Sequence, residues 1–205
     1  MDKNTRNQLT DIRNSLKEEL KKSRYEHTLG VEFTSAALAM RYGEDIFKAR
    51  LAGLLHDCAK GYSDDKLIEL CKKHKLAIND TEKKIPYLLH AKYGAYIAKK
   101  DYKIKDKDIL TAIEFHSTGR ENMSMLEKIV FTADYIEPGR DKAPRLEEIR
   151  KIAFEDIDKA MLMIFDDTIS YILSSDGEID EITLKAYNYL REDIETSNRR
   201  IRNNE

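Results

Sequence analysis

The sequence is poor in the residues that break helices and form tight turns. Its 205 residues include only 8 glycines and 3 prolines, about half the share found in an average globular chain. Loop-rich β-sandwiches and barrels need many turns, so this scarcity argues against them. It favours long helices instead.

Cysteine, long apolar runs and excess charge of one sign are also scarce. The two cysteines, Cys58 and Cys71, cannot form a disulfide framework or a zinc site made of cysteines alone. Residues 1–9 lack the apolar segment of a secretory signal, and no run approaches the ~18–20 apolar residues of a membrane span. The formal net charge is −2, whereas nucleic-acid binders are usually basic. We therefore expect a cytoplasmic protein without membrane or nucleic-acid partners.

What the sequence does have is helical periodicity over almost its whole length. Apolar residues recur three or four positions apart, as in Leu9, Ile12, Leu16 and Leu20, and no segment alternates with a period of two. The pattern predicts an all-α fold, a single-domain bundle of roughly nine or ten helices. We expect a first helix over 1–22, the main domain over 23–195 and a polar, frayed tail over 196–205.

Several polar residues interrupt these apolar helices at positions where a core would favour apolar side chains. They are His27, the pair His56-Asp57, His90, His116 and Asp134. A buried carboxylate without a cation or a dense hydrogen-bond shell is costly. Each histidine alone is best explained as a satisfied core residue, but helical bundles build metal sites from such inward-facing groups. His74, within Lys72-Lys73-His74-Lys75, is predicted to lie at the surface.

The predicted ligand set combines imidazole nitrogens with carboxylate oxygens and has no thiolate. Such sites suit Fe, Mn, Zn, Co or Mg rather than a structural zinc. The helical zinc-protease motif, with two histidines four residues apart, is absent. One or two divalent ions are expected.

The order and surroundings of these residues resemble a known family. The segments that carry the resemblance are Arg-Tyr-Glu-His27-Thr, Leu-Leu-His56-Asp57-Cys-Ala-Lys60, His90-Ala-Lys-Tyr-Gly94, His116-Ser-Thr-Gly119 and Ala133-Asp134-Tyr-Ile-Glu-Pro-Gly-Arg140. They resemble the HD-domain metal-dependent phosphohydrolases, and among these the YqeK-type bacterial hydrolases that cut dinucleoside tetraphosphates symmetrically. The resemblance covers about residues 10–195.

The resemblance implies a role for each matching residue. It implies that His27, His56, Asp57 and Asp134 hold the principal metal, iron before Mn, Co or Zn. It implies that His90 and His116 hold a second metal or contact the phosphates. Arg24 and Arg140 would contact the nucleotide, in a substrate site that also includes Asp57, His90, His116 and Asp134. In the family the loop corresponding to 174–181 also lines the nucleotide site, but here that loop is acidic.

Phosphate chemistry gives two of these residues a further expected role. Polyphosphate hydrolysis depends on positioning and on neutralising charge, and Asp57 could orient the attacking water. Lys60 lies three residues after Asp57 on the same helical face, where it could reach a phosphate. It could equally be a solvated lysine at a helix C-terminus. Asp57 and Lys60 are thus the candidate catalytic residues.

The predicted function is hydrolysis of diadenosine tetraphosphate to two ADP by a metal-activated water, with ADP or GDP as product. Another HD-type phosphohydrolase, either a nucleotidase or a cyclic-nucleotide phosphodiesterase, would use the same ligands. A non-catalytic, metal-dependent nucleotide-binding regulator is an alternative of a different class. The ligand shell does not distinguish among these substrates.

Overall fold

The computed structural model describes residues 3–202, and every regular element in that range is helical. The helices are α1 (Lys3–Glu19), α2 (Lys22–Tyr42), α3 (Ile46–Leu55), α4 (Asp64–Lys73), α5 (Asp80–Lys84), α6 (Leu89–Lys100), α7 (Lys107–Glu114), α8 (Met125–Ile136), α9 (Leu146–Ile152), α10 (Ile157–Ser174) and α11 (Glu181–Arg202), with a 3₁₀ turn at Pro86–Leu88 before α6. The predicted all-α class is confirmed.

The eleven α-helices of the described range slightly exceed the nine or ten expected, and the unpredicted one is α5. It has only five residues, fewer than an amphipathic period needs to become visible. It is fixed instead by its ends: the Asn79 side chain accepts from the Glu82 backbone N–H, and the Glu82 side chain accepts from that of Asn79. This capping box satisfies donors that a short helix leaves open.

The central element is α3, which is buried on most of its surface. It packs against α2, α7 and α8. At Gly53 the backbones approach closely, since a Cβ there would lie 2.8 Å from Ser35 Oγ and 3.1 Å from the Val31 carbonyl oxygen. A glycine is therefore required where α3 crosses α2. The close approach brings the C-terminal end of α3 beside the first half of α2.

The first helix packs on α2 and α3. The residues predicted to form its apolar stripe, Leu9, Ile12, Leu16 and Leu20, are all buried. Arg13 on the same helix reaches the buried Glu32 of α2, with 2.6 Å between Nη2 and Oε1. The stripe and this ion pair join α1 to the bundle.

The last helix is longer than expected. The sequence pattern predicts its end near Ile194 and a frayed tail from residue 196, whereas α11 continues to Arg202. No glycine or proline occurs between 178 and 205, so nothing in the sequence stops the helix. Residues 203–205 of the expected tail lie outside the described range. No helix in the described range has the length and apolar character needed to cross a membrane.

Candidate metal centre

Five helices and the turns that follow them bring the predicted polar residues to one place. His27 is in the second turn of α2, His56 and Asp57 follow α3, and His90 is at the start of α6. His116 follows α7, and Asp134 is in the last turn of α8. Four of these residues are almost fully buried: His56, Asp57, His90 and His116. The Asp134 side chain is 22% exposed. These residues form the cluster discussed below.

One side of the cluster joins His27, His56 and the two aspartates. His27 Nε2 lies 3.0 Å from Asp134 Oδ1 and 3.9 Å from Asp57 Oδ2. His56 Nε2 lies 3.4 Å from Asp57 Oδ2 and 3.8 Å from Asp134 Oδ1. The structure thus brings together the four residues predicted to hold the principal metal.

The other side of the cluster joins His90 and His116 to the second oxygen of Asp57. Asp57 Oδ1 lies 3.2 Å from His90 Nε2 and 3.6 Å from His116 Nε2. Those two nitrogens are 3.2 Å apart, and Ser117 Oγ is within 3.3 Å of both. Asp57 therefore lies between the two halves, with one oxygen facing each.

The histidine tautomers follow from the partners of their Nδ1 atoms. Nδ1 of His56 is 2.7 Å from the Gly53 carbonyl oxygen, and Nδ1 of His116 is 2.8 Å from that of Ile113. His90 Nδ1 contacts the Tyr87 carbonyl oxygen in the same way. A carbonyl only accepts, so each Nδ1 carries the proton and each Nε2 presents a lone pair to the cluster.

This arrangement fits a divalent cation. His27 Nε2, His56 Nε2 and Asp57 Oδ1 are buried and have no hydrogen-bond partner among the described residues. Lone pairs of neutral imidazoles facing carboxylate oxygens need positive charge between them. Within residues 3–202, two overlapping triads have ligand atoms close enough to share an ion: His27, His56 and Asp134, and His56, Asp57 and His116.

The ionisation states agree with this donor set. Burial raises the pKa of Asp57, but the surrounding imidazoles of His56, His116 and His90 outweigh it, so that the pKa lies well below its ordinary value. Burial lowers the pKa of His90 to about 4, against the opposing contact with Asp57. At neutral pH the carboxylate is ionised and His90 is neutral, as metal ligands must be.

Three cations surround the cluster. Arg24 Nη1 is 2.7 Å from Asp57 Oδ2, and Arg140 Nη2 is 2.8 Å from Asp134 Oδ1. Lys60 Nζ is 3.0 Å from His90 Nε2 and 3.9 Å from Asp57 Oδ1, and burial lowers the pKa of this ammonium group. Lys60 is thus in contact with the cluster while 30% of its side chain stays exposed, and its contact with a phosphate stays a prediction.

A cavity of about 890 Å³ opens beside His27. Its walls include the apolar side chains of Phe33, Ala37, Ile136 and Phe154. The rings of Phe33 and Phe154 are partly exposed. An apolar pocket next to a charged centre is a common design for binding a small molecule with a polar end.

The loop after α10 has contacts of its own. Glu178 Oε1 is 2.8 Å from Lys84 Nζ, and Asp180 Oδ1 accepts the Ile182 N–H. These contacts explain part of its acidity, since one carboxylate pairs with a lysine and another caps α11. Contact of this loop with a nucleotide stays a prediction.

His74, predicted to lie at the surface, is only partly exposed. It is half-buried, its ring stacks on Tyr96 with centroids 4.4 Å apart, and its Nδ1 is 2.9 Å from the Tyr96 hydroxyl oxygen. The neighbouring lysines suggested exposure, but the end of α4 packs against the aromatic face of α6. His74 has no contact with the cluster.

Two polar residues near the cluster were not singled out from the sequence, although both lie inside the quoted segments. Ser117 contacts the His90–His116 pair, and Glu137 Oε1 lies 3.0 Å from His27 Nδ1. A glutamate ending an apolar helix, three residues after Asp134, was a usable signal. It resembled an ordinary helix end because Pro138 and Gly139 follow it.

A comparison with known protein families points to the same part of the chain as the cluster does. Residues 24–139 match the family model described as HD domain, a range that contains the whole cluster. This chain belongs to the HD domain family. Its HD domain begins at Arg24 and ends just before Arg140, so the candidate ligands lie within it.

The relatives extend beyond the HD domain itself. The chain is 42% identical to the symmetrical bis(5'-nucleosyl)-tetraphosphatase of Halalkalibacterium halodurans, covering 85% of this chain and 92% of that protein. It is 35% identical to the Bacillus subtilis protein of the same name, covering 85% and 93%. A Clostridium acetobutylicum crystal structure, described as a predicted HD superfamily hydrolase involved in NAD metabolism, matches with a TM-score of 0.87. That match has 47% identity and covers 89% of this chain and 96% of the other.

Metal removal is expected to lower the melting temperature of this HD domain. A ligand that binds only the folded state stabilises it by RT ln(1 + [L]/Kd), about 2.7 kcal/mol at a hundredfold excess over Kd. For a chain of this size that corresponds to about 5–10 °C. Differential scanning calorimetry before and after chelation, with metal content verified, measures the shift. An unchanged melting curve would argue against an internal metal site.

Proposed function

We propose that this chain is a metal-dependent hydrolase that cleaves dinucleoside tetraphosphates symmetrically, converting diadenosine tetraphosphate to two ADP. The observation that carries the substrate is the 42% identity across 92% of a relative bearing that name. The cluster supports the reaction class, since its buried donors fit a divalent cation and three basic side chains surround it. The products would be ADP or, from guanosine substrates, GDP.

We infer that His27, His56, Asp57 and Asp134 would hold the principal metal. When bound, a divalent metal supplies a Lewis acid that polarises a phosphoryl oxygen and makes water a better nucleophile at neutral pH. Asp57 has one oxygen toward each half of the cluster, which suits it to hold the cation and to orient the attacking water. His90 and His116 face the second oxygen, where they would hold a second metal or contact phosphate.

The basic side chains would neutralise the polyphosphate. Arg24 and Arg140 each place a guanidinium group at the rim of the cluster, on Asp57 and Asp134 respectively. Lys60 places its ammonium group next to His90, on the other side of the cluster. Charge on the departing nucleoside diphosphate must be paired for it to leave easily, and guanidinium groups pair phosphate oxygens in a bidentate geometry. The cavity beside His27 has room for one nucleoside end of the substrate.

We propose iron as the resident metal. The donor set of nitrogen and carboxylate ligands also accepts Mn, Co or Zn, so the preference for iron rests on the family resemblance. The cysteines do not add a thiolate to this donor set, since both are buried and Cys58 Sγ is directed at the Gly94 carbonyl oxygen. Elemental analysis of untagged protein purified without oxygen would identify the metal and count one or two equivalents. Zinc or manganese in place of iron would contradict this part of the proposal.

The product test is the position of the cut. With diadenosine tetraphosphate we expect two ADP and neither ATP nor AMP. In water enriched in heavy oxygen, the label should appear on the terminal phosphate of one ADP per turnover, because hydrolysis at the central bridge adds one water oxygen to one of the two inner phosphorus atoms. Mass spectrometry of the products measures both.

Other products would contradict this function in different ways. ATP plus AMP would mean that the tetraphosphate lies in another register over the cluster. Phosphate released from mononucleotides, without cleavage of the tetraphosphate, would favour a nucleotidase. Nucleotide binding without turnover, in protein loaded with each candidate metal, would favour a regulator.

A further inference from the structure

Glu137 contacts His27 at Nδ1, the ring nitrogen that does not face Asp134. It has no role in the function proposed above. It follows α8 directly, three residues after Asp134, and its side chain is 4% exposed. Its Oε1 accepts a hydrogen bond from His27 Nδ1 at 3.0 Å, and its Oε2 accepts one from the Gly139 N–H at 2.6 Å. Each carboxylate oxygen therefore has its own donor, one from a ring and one from the backbone.

The partner of His27 differs from those of the other three cluster histidines. His56, His90 and His116 each donate from Nδ1 to the backbone carbonyl three residues earlier. Two of these carbonyls are at the C-terminal ends of helices, where no intrahelical donor uses them, and the third is in the 3₁₀ turn before α6. His27 is in the interior of α2, where neighbouring carbonyls already accept the helical N–H groups. Its Nδ1 donates instead to a side chain outside the helix, that of Glu137.

Gly30 makes room for that partner. It is one helical turn after His27, and a Cβ at this position would lie 2.2 Å from Glu137 Oε2 and 3.0 Å from Glu137 Cδ. The carboxylate cannot move aside without losing the His27 or the Gly139 hydrogen bond. A glycine in the middle of α2 costs helix stability, and the close approach of Glu137 accounts for it.

We propose that Glu137 is a positioning residue that fixes His27 as the Nδ1–H tautomer, so that Nε2 offers its lone pair to the metal. Gly30 is the residue that admits the carboxylate. This inference rests on the metal site proposed above. A carboxylate hydrogen-bonded to a ligand histidine fixes its ring and raises its basicity, and loss of such a partner typically weakens metal binding or activity by about 10–100-fold.

Glu137→Gln is the informative variant because its amide has nearly the same shape but only one acceptor. The Gly139 N–H can only donate, so the amide oxygen must face it. The amide NH₂ group then faces His27 Nδ1, which becomes an acceptor, and the proton moves to Nε2. Glu137→Ala removes the carboxylate without imposing the wrong tautomer, since water can meet Nδ1. A positioning role therefore predicts that Gln harms metal binding at least as much as Ala, whereas a space-filling role predicts the reverse.

The measurement is a Co²⁺ titration of metal-free protein, followed by the visible absorption of the bound ion. We expect Glu137→Gln to weaken binding about 10–100-fold and Glu137→Ala to weaken it no more than that. Gly30→Ala should weaken binding too, although alanine is the better helix former and should keep the fold. Long-range ¹H–¹⁵N NMR of metal-free Glu137→Gln should show His27 protonated on Nε2.

Glu127→Gln is the matched control. Glu127 is also a buried carboxylate of α8, paired with Arg120, and it contacts no cluster residue. This variant should lose stability and keep its Co²⁺ affinity. Unchanged affinity in Glu137→Gln, or a larger loss in Glu137→Ala than in Glu137→Gln, would overturn the inference. If the unsubstituted chain binds no Co²⁺, the proposed metal site itself has failed.

Discussion

Asp57→Asn is expected to abolish metal-dependent stabilisation and to reduce turnover by about 10³-fold, the scale seen when a group that stabilises transition-state charge is removed. The amide keeps the shape of the side chain, so the loss would reflect charge and donor chemistry. Asp57 touches more of the site than any other member, since His56 and Arg24 contact one oxygen and His90 and His116 the other. Without the negative charge of Asp57, His90 and His116 lose the carboxylate that they face, and His27 and His56 keep only Asp134.

The measurement pairs turnover of diadenosine tetraphosphate with melting curves in the presence and absence of added metal. The unsubstituted chain should show a metal-dependent shift, and Asp57→Asn should show none. Asp158→Asn is the matched control, because Asp158 of α10 pairs with Lys128 of α8 and has no cluster contact. A full metal-dependent shift in Asp57→Asn would show that the ion binds elsewhere.

His90→Ala and His116→Ala are each expected to lower turnover by about 10²-fold, as for the loss of a positioned polar group. Both rings are buried and face Asp57 Oδ1 from the side opposite His27. Their Nδ1 atoms are held by backbone carbonyls, so the fixed Nε2 atoms are presented to whatever occupies that half of the cluster.

Metal content separates the two roles open to this pair. Loss of a second equivalent in both variants would indicate a two-metal centre, whereas one retained equivalent with lost turnover would assign the pair to phosphate. His74→Ala serves as the control, because this half-buried ring stacks on Tyr96 away from the cluster. It should melt at a lower temperature and keep nearly full turnover. Wild-type turnover in His90→Ala and His116→Ala would remove both residues from the site.

Much of the fold follows from local pattern. The stripe from Leu9 to Leu20 and the apolar segment that becomes α3 are visible because burial along a helix repeats every three or four residues. Periodicity fails to predict a helix that is too short to show a repeat, and it fails to predict burial where an apolar residue lies on the exposed face of a helix. Five residues are too few to reveal α5, and the apolar Phe33 of α2 is 56% exposed.

The sequence by itself determined which residues are unusual. A histidine or aspartate inside an apolar helix is costly unless it is paired, so His56, Asp57 and Asp134 stood out without any coordinates, and their order carried the family resemblance. The helical class follows from the same residues, because periodicity and the scarcity of glycine and proline are properties of the chain alone.

Only the tertiary structure decided which of these groups face one another. His27 meets Glu137 across 110 positions of sequence, and Arg24 meets Asp57 across 33. Helical periodicity reports which side of a helix is buried but not which neighbour lies there, because that depends on how helices cross. The close crossing at Gly53 and the space at Gly30 exist only once α2, α3 and α8 have packed. The sequence therefore shows which buried polar side chains need a hydrogen-bond or ion-pair partner, whereas the packing of the helices determines which residue that partner is.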